Sequence, residues 1–285
     1  MSACSAVAAP RLQPLAQAPR ALLAALHGVL TDIDDTLTRD GAIEPVALAA
    51  LHALAAAGVP VLAITGRPAG WCEHFVQQWP VAAIVAENGG VLLQRAAAGQ
   101  ARGDATDAAA GAGITRLFTV DAANRDQRQR RLQACAQAVL AAVPGATLAR
   151  DSAGRLTDIA IDHSEFSHLD AAQIAAVLAV MRGHGLTATV SSIHINGWLG
   201  EHSKHSGALW AVAAVLGRPW RAADWAYVGD SSNDQAMFEA IPVSVGVANI
   251  ARFVPQLAVL PAWLTRAERG VGFAEFAAAL LAARC

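Results

Sequence analysis

The chain holds one lysine, Lys204, and charged residues make up only 15% of its 285 positions. With a net charge of −2 there is no basic stripe of the kind that grips a nucleic-acid backbone. Long apolar runs are also missing: none approaches the length needed to cross a bilayer, so no membrane partner is expected. The four cysteines, Cys4, Cys72, Cys135 and Cys285, show no C-x-x-C spacing. That excludes a zinc framework or a disulfide scaffold and fits a reducing compartment. The opening segment has no basic residue before Arg11, and Pro10 and Pro14 interrupt it, so it lacks the order of an export signal. Residues 1–22 are therefore expected to be a flexible cytoplasmic leader. Low charge does not mean disorder, because 54% of the residues are hydrophobic, although much of that share is alanine.

From His27 onward, short β-rich runs alternate with helical patterns. GVLTDID (Gly28 to Asp34), VPVLAITG (Val59 to Gly66) and VAAIVAENGG (Val81 to Gly90) are continuous apolar runs. The helices between them start at Pro45 and Pro68, and Gly58 closes the first. This is the pattern of a parallel sheet covered on both faces. Gln94 to Gly113 is low-complexity Ala/Gly and predicts a mobile surface loop. A strand near Leu117, a helix carrying Leu132, Cys135, Val139 and Val143, two β-like runs near Ala146 and Thr157, a helix over Leu169 to Arg182 and a strand over Leu186 to Ile195 then suit a small α+β domain with helices on one face. After His205 the first pattern resumes through WAYVGD (Trp225 to Asp230) and VSVGV (Val243 to Val247). The expected architecture is an α/β, doubly wound, Rossmann-like parallel-sheet core over 23–92 and 196–285. An α+β cap is inserted at 93–195.

Four groups of residues fall on predicted strand tips, where ligands of open α/β sheets bind. DIDDT places Asp32 and Asp34 on one side of the extended chain while Asp35 can turn away. One such carboxylate can attack as a nucleophile while the other handles protons around one Mg²⁺. Alone, the run also fits an acidic turn. Thr65, Gly66 and Arg67 offer a hydroxyl and backbone N–H groups for a phosphate, or an ordinary turn. In GDSSND, Asp230 and Asp234 are spaced to converge on one hard cation, or to cap a helix. Lys204 follows the insertion and can offset phosphate charge, or be solvated.

Together and in this order, these motifs resemble the haloacid dehalogenase superfamily of aspartate-nucleophile phosphatases, from about Gly28 to Val91 and from Ser203 to about Phe276. The insertion looks like the cap of subfamily IIB, with its Cof-type, sucrose-phosphate, trehalose-phosphate and mannosyl-3-phosphoglycerate phosphatases. VAENGG, VSVGVAN and LTRAERGVGFAEF look like this group too. The resemblance implies a Mg²⁺-dependent phosphatase of a small, sugar-like phosphomonoester. Asp32 would be the nucleophile, Asp34 the general acid/base, and Thr65, Gly66 and Lys204 the phosphate holders. Mg²⁺ would sit on Asp32, the backbone carbonyl of Asp34, and Asp230, with Asp234, Asn233 and Arg67 in support. The runners-up are a phosphosugar mutase and a non-catalytic phosphate-binding module. Two departures stand out: His205 and Ser206 follow Lys204 where relatives often have Gly, and GDSSND replaces GDGxND.

Three further groups remain open. His194, His202 and His205 fit no zinc template. Trp198, with Asn196 and Gly197 on the return crossover, suits hinge packing better than stacking on a sugar. Arg125, Arg128, Arg130 and Arg131 read as a solvated helix face, with an anionic substrate tail as the alternative.

Overall fold

The chain sorts its continuous apolar runs into one sheet and its alternating ones into another. The computed structural model describes residues 12–96, 113–120 and 122–285. Its large sheet has nine strands in the spatial order Gln13–Pro14, Trp263–Leu264, Val243–Gly246, Trp225–Gly229, Gly28–Thr31, Val61–Ile64, Ala83–Ala86, Val91–Arg95 and Ile114–Phe118. All neighbours are parallel as far as Ala83–Ala86, and the last two strands are antiparallel additions. Both faces are covered. Val29 packs with Leu51, Leu54, Phe273 and Phe276, while its neighbour Leu30 packs with Ala208, Val212 and Phe238. Period-two alternation thus sends adjacent residues of one apolar run into two cores.

The central strand Gly28–Thr31 has Val61–Ile64 on one side and Trp225–Gly229 on the other. The chain order reverses direction across it, which makes its C-terminal tip a topological switch point. The acids of DIDDT lie there, and the tips carrying Thr65 and Asp230 flank them.

The cap is a four-stranded antiparallel sheet in the order Thr187–Val190, His194–Trp198, Asp158–Asp162, Thr147–Leu148. Helices Ala122–Ala142 and Ala171–Gly183 cover one face, where Leu132, Val139, Ile159, Ile161, Val177 and Ile195 share a core. Alternation leaves Asp158, Asp162, His194 and Asn196 on the opposite face, all buried.

The structure moves three of the expected boundaries. Of the leader expected over 1–22, the described part from residue 12 is built onto the core: Gln13–Pro14 pairs with Trp263–Leu264, and Leu15 is buried; residues 1–11 lie outside the described residues. Residues 93–118 were assigned to the cap, but Val91–Arg95 and Ile114–Phe118 extend the core sheet, because Leu92 and Leu93 bury on its two faces. Residues 97–112 of the expected loop lie outside the described residues. The single strand expected over Leu186 to Ile195 is a hairpin, in which the Ser191 hydroxyl accepts the backbone N–H of His194 at 3.0 Å and turns the chain. Asn196, Gly197 and Trp198 therefore lie inside a cap strand rather than on the crossover. No helix among the described residues is long and apolar enough to cross a membrane.

Candidate active site

Asp32 continues the central strand by one residue, its N–H donating to the Val228 carbonyl at 2.8 Å. The chain then turns tightly, with Thr36 and Leu37 donating to the Ile33 carbonyl and Asp35 in the left-handed region at φ 55°. This reversal sends the side chains of Asp32, Asp34 and Asp35 to three different partners. Asp32, 4% exposed, accepts from Lys204 Nζ at 2.6 Å. Asp34 accepts from Arg67 Nε with both oxygens at 3.0 Å. Asp35 turns to the C-terminal segment, taking Arg252 at 2.7 Å and Arg269 at 2.8 Å.

Lys204 opens the helix Lys204–Leu216. Ser203 and Ser206 form a capping box, so Ser206 is needed where relatives often carry Gly. The close approach is made one position later. A Cβ on Gly207 would stand 2.7 Å from the Cα of Gly89, so only glycine lets the helix start against that turn. The helix start thereby delivers Lys204 Nζ between Asp32 and Asp234, at 2.6 and 2.7 Å.

Asp234 has no free lone pair to spare. Its Oδ1 accepts from Lys204 and from the Tyr227 hydroxyl at 2.5 Å, and its Oδ2 accepts the N–H groups of Asp230 and Ser231 at 2.9 and 3.0 Å. A Cβ on Gly229 would come within 2.5 Å of that Oδ2, so the glycine of GDSSND is what admits the carboxylate. Asn233 accepts from the Ser231 hydroxyl at 2.7 Å and braces the same turn.

Asp230 differs from Asp234. Its Oδ2 accepts from Asn249 at 3.0 Å and Arg252 at 3.2 Å, but its buried Oδ1 has no hydrogen-bond partner. Such an orphaned anionic oxygen is costly unless something electropositive meets it. Asp32, Asp230 and Asp234 present oxygens within 4.8 Å of one another. With Asp234 already saturated, the oxygens of Asp32 and Asp230 form a hard donor set that fits Mg²⁺. The electrostatics agree. Burial opposes the charge on Lys204, yet Asp234 and Asp32 raise its pKa above the ordinary lysine value. Two carboxylates, Asp32 and Asp234, share that one ammonium, with Asp230 close by. Burial raises the Asp32 carboxyl, Lys204 pulls against it, and Asp234 and Asp34 help leave it at about 7. Asp230 is driven up as well, by burial and then by Asp32 and Asp234. A divalent cation relieves this imbalance.

Thr65, fully buried, accepts the N–H of Arg67 at 3.0 Å with its hydroxyl. Next to it, the Gly66 carbonyl accepts from Arg155 at 2.9 Å and from Asn196 at 3.3 Å, both cap residues. Buried Arg67 reaches across the cleft to Asp151 at 3.2 Å and Glu165 at 2.9 Å. Glu87, fully buried at φ 51°, accepts the N–H groups of Ala69, Leu156 and Thr157 and the Thr157 hydroxyl at 2.5–3.0 Å. These contacts close the cap onto the strand tips. Between cap and core lies a cleft of about 280 Å³ lined by Asp34, Asp35, Arg67, Glu165, Arg252 and Arg269, among others.

The structure thus brings Asp32, Lys204, Asp230 and Asp234 together, and holds Asp34 and Arg67 beside them. The histidines form no cluster: His194 bonds Glu165 at 2.9 Å, His202 packs on Trp198 and His205 on Trp220. Trp198 is buried, its indole N–H donating to the His202 carbonyl at 2.9 Å. Of the arginine group, Arg128 donates to the Leu199 carbonyl at 2.7 Å and Arg125 covers Phe118. Sequence reasoning missed Tyr227, Glu87, Asn249 and the cap residues Asp151, Arg155 and Glu165. Tyr227 was recoverable, since alternation puts it on the same side of its strand as Gly229. The cap residues carried no local signal.

A nine-stranded, switch-point α/β sheet with an acid–lysine cluster at its tips and an inserted α+β cap defines a haloacid dehalogenase-like hydrolase fold. In sequence, residues 29–102 match the family model of the haloacid dehalogenase-like hydrolases, so the resemblance read from the motifs holds there. Its fold, cap included, is shared with solved structures of low sequence identity. A Thermoplasma acidophilum protein is similar over 90% of this chain and 98% of its own, with TM-score 0.63 and 15% identity. Sucrose-phosphatase from Synechocystis, solved with sucrose and phosphate, is similar over 90% and 98%, with TM-score 0.61 and 13% identity. The C-terminal domain of trehalose-6-phosphate phosphatase from C. albicans is similar over 96% and 98%, with TM-score 0.57 and 13% identity. No curated protein sequence matches the chain.

Proposed function

We propose that the protein is a Mg²⁺-dependent phosphatase of small phosphomonoesters whose leaving group is an uncharged, sugar-like polyol. The observation that carries the reading is one buried carboxylate, Asp32, held by the only lysine beside the unpartnered Oδ1 of Asp230. A nucleophile, a charge-neutralising ammonium and a vacant hard donor meet at one strand tip.

In this reading Asp32 attacks phosphorus and the bond from phosphorus to the leaving oxygen breaks. Asp34 donates its proton to that oxygen, and an aspartyl-phosphate forms on Asp32. Asp34 then takes a proton from water as water attacks the same phosphorus, releasing phosphate and restoring Asp32. Lys204 offsets the charge of the transferring phosphoryl group, with Asp234 and Tyr227 fixing its position. Thr65 and Gly66 line the phosphate end. The buried side-chain nitrogen of Asn88 has no acceptor and lies beside Gly66, which supports an anion-holding turn. Asp32, the Asp34 carbonyl and Asp230 would hold Mg²⁺, which when bound would supply charge stabilisation for the phosphoryl oxygens.

Charge pairing in the cleft supports an uncharged leaving group. Arg67 is bridged by Asp34, Asp151 and Glu165, Arg252 by Asp35 and Asp230, and Arg269 by Asp35. No guanidinium lining the cleft is left over for a second phosphate or carboxylate, whereas carboxylates and Ser164 and Ser192 suit hydroxyl groups. The sucrose and phosphate bound by the Synechocystis protein are consistent with this. The test is a phosphate-release screen of sugar monophosphates, sugar bisphosphates and phosphoglycerates with Mg²⁺ and with EDTA. Sugar monophosphates should turn over best, and only with metal. Activity untouched by EDTA refutes the metal role. A preference for bisphosphates, or phosphoryl return to a second sugar position, refutes the leaving-group reading.

A further inference from the structure

We infer that Glu165, on the cap, is a positioning residue for Asp34, acting through Arg67 and only when the cap is closed. The inference rests on the phosphatase reading above. Arg67 touches carboxylates from three segments: Asp34 of the core turn, Asp151 of the loop before Asp158–Asp162, and Glu165 of the loop after it. Its guanidinium also lies 5.2 Å over the Trp71 ring, which limits its swing. With Nε on both oxygens of Asp34 and Nη2 shared between Asp34 and Glu165, the plane of the guanidinium sets the plane of the Asp34 carboxylate. The lone-pair positions of Asp34 that Arg67 does not use remain for proton exchange.

Glu165 is built to hold still. Its loop is folded around Asp162, whose carboxylate accepts the N–H groups of Ser164, Glu165, Phe166 and Ser167 at 2.9–3.2 Å. Its second oxygen is bonded by Nε2 of buried His194 at 2.9 Å, from the neighbouring strand. A carboxylate held at both oxygens and along its backbone is more order than a surface loop needs. Two of the three carboxylates on Arg67 belong to the cap, so lifting the cap leaves Asp34 with an arginine free to turn. Closure thereby completes the geometry for protonating the leaving oxygen, without Glu165 having to touch the substrate.

The prediction separates leaving groups that need a proton from those that do not. Phenyl and 4-nitrophenyl phosphate have nearly the same shape, and neither carries sugar hydroxyls for Glu165 to contact. Phenolate is the poorer leaving group and depends more on the acid. Rapid-quench measurement of phenol and nitrophenol release reads the first phosphoryl transfer directly. Glu165→Ala should slow phenyl phosphate at least about 10-fold more than 4-nitrophenyl phosphate. Glu165→Gln, which keeps an acceptor for Arg67, should recover part of the difference, and His194→Gln should show a smaller version of it. In an Asp34→Asn background, Glu165→Ala should change the ratio of the two rates no further. Equal losses on both substrates in folded Glu165→Ala and His194→Gln proteins would overturn the inference. So would an undiminished effect of Glu165→Ala on that ratio in Asp34→Asn. If the unaltered protein releases neither phenol nor nitrophenol, and no phosphate from sugar monophosphates, the phosphatase reading itself falls, and this inference with it.

Discussion

Two buried cations near the strand tips, Lys204 and Arg67, are neutralised in different ways. Lys204 finds Asp32 and Asp234 within the core, one at a strand tip and the other in the helical turn after the adjacent strand. Arg67 finds one carboxylate in the core and two in the cap. The first cluster involves no cap residue, whereas the second takes two of its three carboxylates from the cap. In the proposed mechanism, charge neutralisation at phosphorus therefore belongs to the core alone, whereas orientation of Asp34 draws on the cap. Arg155 repeats the second pattern, joining Asp151 and Asp158 of the cap to the Gly66 carbonyl of the core.

The comparison breaks most severely at Asp32. Asp32→Asn keeps size and removes the attacking charge, so turnover should fall by roughly 10⁴-fold or more with circular dichroism unchanged. Near-normal turnover by a folded variant would remove Asp32 from the mechanism.

Lys204→Met tests whether the inner cluster is also structural. It leaves Asp32 and Asp234 buried without their cation, which should cost about 3–5 kcal/mol in urea unfolding and about 10²–10³-fold in turnover. A stability change below about 1 kcal/mol would mean that those acids are protonated or hydrated in the unaltered protein.

At the boundary, Glu87→Gln exchanges a charged acceptor of four hydrogen bonds for a neutral amide. A loss of about 1–3 kcal/mol is expected, with faster amide exchange at Leu156 and Thr157 than in the helix Lys204–Leu216. Uniform loosening of both regions would show that Glu87 serves the whole fold rather than cap closure.

The last effect lies at the return to the core and is felt only in acid. Burial, reinforced by the charge of Arg128, lowers His202 from 6.5 to about 4. Below pH 6.5 the unfolded chain takes up a proton there that the folded chain refuses, so this contribution to stability is complete above pH 6.5. It is lost as pH falls towards 4. His202→Gln should flatten that part of the stability profile in thermal melts. An unchanged slope would mean that His202 charges freely in the folded state.

The inner cluster was legible because each member ends an apolar strand or begins a capped helix, and its motif lies within a few residues. The DIDDT run, the solitary lysine and the GDSSND turn announce themselves locally. The outer cluster was not. Asp151, Arg155 and Glu165 sit among ordinary polar residues of an α+β domain, and nothing nearby in the chain requires an arginine or a glutamate there. The misplaced cap boundary has a related cause. A strand near Leu117 was read from the sequence but Val91–Arg95 was not, and which sheet a strand joins depends on the edge available to it. Here the free edge at Ala83–Ala86 took both.

By itself the sequence determined the layered α/β core, the insertion, the acids and threonine at the strand tips and the lysine at a helix start, because apolar periodicity, strand-end position and helix capping are local properties. Only the tertiary structure decided that Asp234 is spent on Lys204 while Asp230 keeps an open oxygen, and that Arg67 is shared between core and cap. Those outcomes depend on which lone pairs and N–H groups meet across chain separations of up to 98 residues, as Arg67 and Glu165 do, and no local pattern encodes that meeting.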